Sequence, residues 1–335
     1  MQFYGMTRRG FVRMMGSVGL GAAVGAKAGC DECEDRPAQA VPQAYRYDIS
    51  HLAADDGGLP RLQRVRSIDT ELAGAWALAG EPGGHLAVGC ARELAILDAE
   101  GQALRRWTLD QPGSALAWDE TGRLWVAQAG QVQCYSRRGE LREARPIARD
   151  TGYVTAIAVS GDDLFVADAD TRTVSRYHGG RRVWRIDGFH IPSRHFHLAL
   201  GSDKLLWVAH TGRHRIEAYD FTGELVRSWG EPGMSVHGFS GCCNPSHFAI
   251  LADGRFVSSE KGLHRAKLHD TQGQVQAMVI DAATLAVDVN APVPPAASMG
   301  VPRGPLVTAM DEATVAVLHP HNGALHMMRL PGEGP

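Results

Sequence analysis

No apolar run in this chain of 335 residues approaches the roughly 18 needed for a membrane-crossing helix, so no transmembrane segment is expected. Basic excess is also missing. The 34 Lys and Arg against 37 Asp and Glu give a formal charge of −3, with no surplus of cations to displace counterions from phosphate, which argues against nucleic acid as a partner. Aromatics are sparse at 7%, and six cysteines in a chain of this length exclude a small disulfide-stapled module. The chain contains no Gly-rich nucleotide loop and no nucleophile elbow. Ser246 and His247 are neighbours in sequence, which does not make a catalytic pair. What remains is a globular composition, 44% hydrophobic with 39 Gly, ample for a large buried core.

The N-terminus reads Met6-Thr7-Arg8-Arg9-Gly10-Phe11-Val12, then a mild Gly/Ala-rich stretch, then the small-x-small site Ala26-Lys27-Ala28. This combination resembles a twin-arginine export signal over residues 1–28. The resemblance implies export of a folded protein to the periplasm or the cell exterior. Ala28-Gly29-Cys30 offers a lipid-attachment site, but Lys27 stands where such sites want an aliphatic residue, so a soluble product is favoured. Removing residues 1–28 takes away four cations and no acid, leaving a charge of about −7. Residues 29–60, with their acids, prolines and Gly-Gly, read as a flexible tether.

A repeat occupies the remainder, residues 61–335. A small-residue-centred apolar triplet recurs as Trp76-Ala77-Leu78, Leu116-Ala117-Trp118, Ile157-Ala158-Val159, Leu198-Ala199-Leu200, Phe248-Ala249-Ile250 and Thr308-Ala309-Met310. A turn follows each triplet, then a second apolar strand such as Leu124-Trp125-Val126 or Leu206-Trp207-Val208. A third, alternating strand comes next, as in Arg215 to Asp220, and a Gly turn (Gly101, Gly139, Gly223, Gly273) leads to a fourth. Four short strands in roughly 40 residues describe a β-propeller blade, and small residues in the first strand suit the crowded axis. The count gives an all-β fold, a six-bladed β-propeller of four-stranded antiparallel blades. The last blade lacks an outer strand, and Leu62 to Ile68 supplies one, closing the ring and removing open sheet edges.

Trp229-Gly230-Glu231-Pro232-Gly233, Gly238-Phe239, Pro245 and Asp253-Gly254 follow the punctuation of NHL-repeat propellers, and Val208-Ala209-His210-Thr211-Gly212-Arg213-His214-Arg215-Ile216 is similar to the family pattern Val-Ala-Asp-x-x-Asn-His-Arg-Ile. The likeness is specific in the third to fifth blades. It implies fold better than function, because such propellers serve as enzymes, receptors and scaffolds alike.

Histidine is concentrated, with 13 of the 15 between His178 and His326. Aligning blades places His197 and His247 at one position just before the triplet, where the other blades carry Ala75, Ala115, Ala156 and Val307. A second aligned position, after the second strand, holds Cys90, Gln128, Asp168, His210, Ser259 and His319. Both positions are expected near one mouth of the channel. Convergent imidazoles can coordinate a transition metal such as zinc, copper or iron, each offering a neutral lone pair. The candidate ligands are His197, His210 and His247, with His195, Asp168 and His319 as lesser ones. Propellers resembling the peptidyl-amidoglycolate lyase domain hold a metal with histidines in this region. The alternative is that these side chains bond loop carbonyls and plug the channel.

Gly241-Cys242-Cys243-Asn244-Pro245-Ser246-His247 places adjacent cysteines beside one of those histidines. In an exported protein Cys242 and Cys243 can form a vicinal disulfide, line a ligand site, serve as soft metal donors when reduced, or simply brace the loop. Cys90 and Cys134 read as buried thiols. Glu260, followed by Lys261, is a weak candidate for a general base, and a solvated ion pair is the bland alternative. Arg194 and Arg213 could grip a ligand carboxylate, or pair with Asp170 and Glu217. The leading expectation is an exported propeller that binds a metal ion or small ligand at its channel mouth. A metal-dependent lyase or hydrolase and a non-catalytic subunit for a periplasmic redox protein are the rivals.

Overall fold

The computed structural model describes residues 47–81, 83–291 and 304–332. The expected export signal, Cys30, Cys33 and the expected tether up to residue 46 lie outside the described residues. Among those described, six four-stranded antiparallel sheets follow one another around a ring. The first blade holds β2 (Ala75–Gly80), β3 (Leu86–Cys90), β4 (Glu93–Leu97) and β5 (Ala103–Thr108); the second, β6 (Ala115–Trp118), β7 (Leu124–Gln128), β8 (Gln131–Tyr135) and β9 (Leu141–Pro146). The third comprises β10 (Val154–Ser160), β11 (Asp163–Asp168), β12 (Thr173–His178) and β13 (Arg181–Ile186). The fourth comprises β14 (Leu198–Leu200), β15 (Leu206–His210), β16 (Arg215–Tyr219) and β17 (Leu225–Trp229). In the fifth are β18 (His247–Ile250), β19 (Phe256–Glu260), β20 (Arg265–His269) and β21 (Val275–Ile280). The sixth combines β22 (Leu306–Ala309), β23 (Thr314–Leu318) and β24 (Ala324–Arg329) with β1 (Gln63–Asp69). The fold is the expected six-bladed β-propeller, and the strand before the first blade completes the last. β1 pairs antiparallel with β24 from Gln63–Arg329 to Asp69–Ala324.

Each first strand packs beside those of both neighbouring blades, and β22 meets β2 to complete the circle. At that seam a Cβ on Gly80 would stand 1.9 Å from the Ala309 carbonyl oxygen, so only glycine lets the two inner strands approach so closely. Burial falls from the axis outward: β7 is wholly buried, while β5 is almost wholly exposed. Six apolar clusters each join two neighbouring blades, as in Trp207, Phe248 and Phe256 between the fourth and fifth. Burying an aromatic of this size contributes roughly 2–3 kcal/mol, so the wheel is held by what lies between the blades. Tryptophans contribute to these clusters, with Trp125 and Trp207 essentially inaccessible. The four turn glycines hold φ near +80°, +78°, +93° and +85° at Gly101, Gly139, Gly223 and Gly273.

The register differs from the sequence alignment in three blades. In β2 the pairing jumps from Ala75–Cys90 to Ala77–Gly89, so Trp76 is the extra residue of a bulge. Its ring turns into the blade against Gly89 and Gly113, where an added Cβ would come within 2.3 and 2.4 Å. Leu78, paired with Val88, therefore matches Leu116, and Ala77 rather than Ala75 precedes it. In the sixth blade Val307 pairs with Val317 and takes the triplet position, so Leu306 precedes it. In the fifth, Phe248 pairs with Ser258, which moves the second aligned position from Ser259 to Glu260.

The end of the expected tether folds onto the fifth blade. Helix α1 (Ser50–Ala54) buries Ala53 against Leu263 and Ala282, and Arg61 pairs with Asp56 and Asp281. Three apolar residues, Ile49, Leu52 and Ala53, carry this packing. No helix among the described residues is long and apolar enough to cross a membrane.

Candidate functional site

Connections entering the first strands share one mouth of the channel with the ends of the second strands; the turns between first and second strands form the other. At the former mouth the second aligned position has one role in five of the six blades, which is to hold the connection that enters its own blade. Cys90 donates to the Ala73 carbonyl at 2.9 Å, and the Gln128 amide donates to Gln111 at 2.9 Å. Asp168 accepts the backbone N–H groups of Gly152, Tyr153, Asp170 and Thr171. His210 Nε2 accepts the His190 N–H at 2.8 Å, which leaves Nδ1 to donate to Glu217 at 2.9 Å. Glu217 also accepts from the Tyr219 hydroxyl, at 2.7 Å. Both nitrogens of His210 are thus engaged, and its lone pair is not offered to a ligand. Asp168 is likewise saturated.

Glu260 is the fifth anchor. Its carboxylate accepts the Ser240 N–H and hydroxyl at 3.0 and 2.7 Å and lies between Lys267 at 2.7 Å and Arg265 at 3.0 Å, all three ionic side chains fully buried. Burial pushes its carboxyl upward, but the two cations and their hydrogen bonds outweigh that and hold it at about 2. Such a group accepts no proton near neutrality, so the expected general-base role does not fit its surroundings. Lys267 also donates to the Val236 and Gly238 carbonyls, pinning the long connection before the fifth blade. His319, a lesser candidate, bonds Asn322 at 2.8 Å and sits near His264 and His321, with ring centroids 6.1 and 5.9 Å away.

The first aligned position behaves differently. His197 and His247 stack at 3.6 Å between centroids with planes 27° apart, and His195 lies 6.3 Å from His247. Burial drives all three toward the neutral form: His195 falls to about 4, His197 to about 3, and His247 well below its ordinary value, helped by the neighbouring imidazoles and, for His195, by Lys261. Neutral rings can stack without repulsion. His195 Nε2 and His247 Nδ1 are buried without a hydrogen-bond partner, an arrangement that costs roughly 1–3 kcal/mol each. Near-parallel rings 3.6 Å apart carry their lone pairs in separate planes, which suits a shared ion at roughly 2.0 Å poorly. Among the described residues no group of three or more His, Cys, Asp or Glu is arranged to hold a metal ion.

Cys242 and Cys243 adjoin this histidine group. Their sulfurs are 2.9 Å apart as free thiols, Cys242 exposed and Cys243 buried. Burial raises the Cys243 thiol, but its contacts with Cys242, Lys261 and Ser193 lower it further than burial lifts it; Cys242 is raised by its hydrogen bond with Cys243 and by burial. Lys261 and Ser193 thereby belong to the site, a link through space that adjacency in sequence did not reveal for Ser193. Arg194 is spent on Asp170, with two contacts of 2.6 Å, and lies over Tyr153 at 4.3 Å; Arg213 is exposed. Cys134 is the buried thiol expected, raised to about 11 by that burial, whereas Cys90, also free, is only half-buried.

A cavity of about 640 Å³ runs along the axis, and His197 and His247 stand at its inner end. Its walls are the first strands, with Leu78, Leu116, Ile157, Leu198, Phe248 and Val307 contributing one residue per blade. It opens at the opposite mouth, between the turns bearing Glu120, Ser202, Ala252 and Glu312. The imidazoles therefore form the floor of a channel entered from the far side. Sequence pattern could identify the walls but not which end is open.

In overall structure the chain is similar to virginiamycin B lyase from Staphylococcus aureus. A catalytically inactive histidine-to-alanine form of that enzyme with quinupristin aligns with a TM-score of 0.53 and 13% identity, covering 77% of this chain and 80% of that one. The selenomethionine-substituted enzyme aligns with a TM-score of 0.51 at the same identity and coverage. A protein of unknown function from Bacteroides caccae gives a TM-score of 0.51 and 13% identity, over 63% of this chain and 82% of that one. At such identities the likeness shows the fold. No family model matches the chain, and no curated protein matches it.

Proposed function

We propose that this chain is an exported propeller that binds a small organic ligand in its axial channel, against the floor made by His197 and His247, with Cys242 and Cys243 in the wall beyond. The observation that carries the reading is the channel itself. About 640 Å³ lies within the range of small-molecule sites, its walls are apolar, and its floor is made of neutral imidazoles. A thiophilic ion at Cys242 and Cys243 is the metal version of the same reading, and its support is the thiol contact at 2.9 Å rather than the stacked imidazoles.

A lyase has less support. Likeness to virginiamycin B lyase extends to the fold, and Glu260, the base such a reaction would draw on, is locked between Arg265 and Lys267. The test is extraction of natively exported protein under denaturing conditions, with mass spectrometry and elemental analysis of what is released. A retained small molecule, lost in His247→Ala, supports the reading. Retention of neither molecule nor metal, combined with no binding in a broad ligand screen, would overturn it.

A further inference from the structure

The open end of the channel carries charge of one sign. Asp119, Glu120, Asp311 and Glu312 are among its lining residues, and no Lys or Arg is among the described ones. Asp119 is already neutralised, accepting from Arg123 and the Trp125 indole at 2.8 Å each. The other three are exposed. Glu120 accepts one backbone N–H from Gly161 and Asp311 one from Ala313, and these bonds leave their charge in place. The basic residues in the turns of that mouth are Arg123, which pairs with Asp119, Arg255, which pairs with Asp253, and Lys204 in the fourth blade. Trp118 also lines the cavity, at the end of β6 and one residue from Asp119.

A tryptophan beside carboxylates at the entrance of an apolar tube is the chemistry that recognises organic ammonium groups. The ring quadrupole attracts a weakly hydrated cation, and low-dielectric walls focus the field of the rim. A small metal ion would make no use of the apolar walls. At the other end the stacked rings of His197 and His247 close the tube. We infer that the channel's ligand is an organic ammonium cation, its head held at the outer mouth by Trp118, Glu120, Asp311 and Glu312 and its apolar body directed toward His247. This inference rests on the channel being a ligand site.

Three matched probes test it: phenylbutyl-trimethylammonium, phenylbutanol and phenylbutyrate, titrated calorimetrically into the full chain at low salt and at about 0.5 M salt. The cation should bind roughly ten-fold more tightly than the alcohol, and the carboxylate more weakly still. That preference should shrink in high salt and in the triple variant Glu120→Gln, Asp311→Asn, Glu312→Gln, while the alcohol binds the variant unchanged. Equal binding of all three probes would overturn the inference and leave the channel reading standing. Binding of none would overturn both.

Discussion

Acidification from pH 7 to pH 5 should destabilise this protein in part through the floor of its channel, alongside His264 and His269, which burial lowers to about 4 and about 3 elsewhere in the fold. An unfolded histidine titrates near 6.5, whereas His197 in the folded protein falls to about 3 and His195 to about 4. Between those values the unfolded chain binds protons that the folded one refuses. The neutral-floor contribution is therefore fully present above pH 6.5 and is lost as pH falls toward the folded values. From 6.5 to 5, His195 and His197 each cost on the order of 2 kcal/mol, and His247, also lowered by its burial and the neighbouring imidazoles, adds in the same direction. Together these are a large share of the whole stability of an ordinary domain, roughly 5–15 kcal/mol. His197→Phe keeps a ring to stack on His247 and removes one titrating group. Urea unfolding at each pH should show the variant losing about 2 kcal/mol less than the parent between pH 7 and 5, since contributions from the carboxylates are common to both. Coincident pH profiles would mean that the half-buried His197 does not stay neutral over this range, and that the floor is misassigned.

Glu260→Gln should leave Lys267 and Arg265 as uncompensated buried charges and cost about 3–5 kcal/mol in urea unfolding; a loss under about 1 kcal/mol would show that the network is not the anchor described. Alkylation of the native protein should modify Cys242 first, with Cys134 reacting only on unfolding because its thiol is buried and raised to about 11; rapid labelling of Cys134 in peptide maps would contradict the packing. Deleting residues 1–69 removes β1 and bares the edge of β24, so the truncated protein should associate in light scattering where the longer one does not. A monodisperse truncated propeller would show that the closing strand is dispensable.

The resemblance of the middle blades to NHL repeats rests on turn residues, and those are local. Gly101 or Gly273 needs a positive φ whatever surrounds it, and Asp119 or Asp220 turns the chain by bonding its own neighbours. Alternation with period two likewise marks which strand residues are buried. Blade number, ring closure by the N-terminal strand and the pairing of His197 with His247 at one blade position were therefore all legible in the residues, because each repeats a local pattern at a regular interval. The register of β2 was not. It depends on Trp76 finding space against Gly89 and Gly113, the latter in the connection to the next blade.

The second aligned position separates the two kinds of information most clearly. Cys90, Gln128, Asp168, His210, Glu260 and His319 have no shared chemistry in sequence, and a metal set was a fair expectation from the histidines. Five of them prove to be anchors for the connection entering their own blade, and that role needs only a polar atom at one point in space. Sequence alone determined that six sheets form and which residues line their axis. Only the closed wheel decided which polar groups are consumed by loops, which imidazoles are left facing one another, and which end of the channel is open. Those outcomes depend on distances between chain segments dozens of residues apart, to which no local pattern responds.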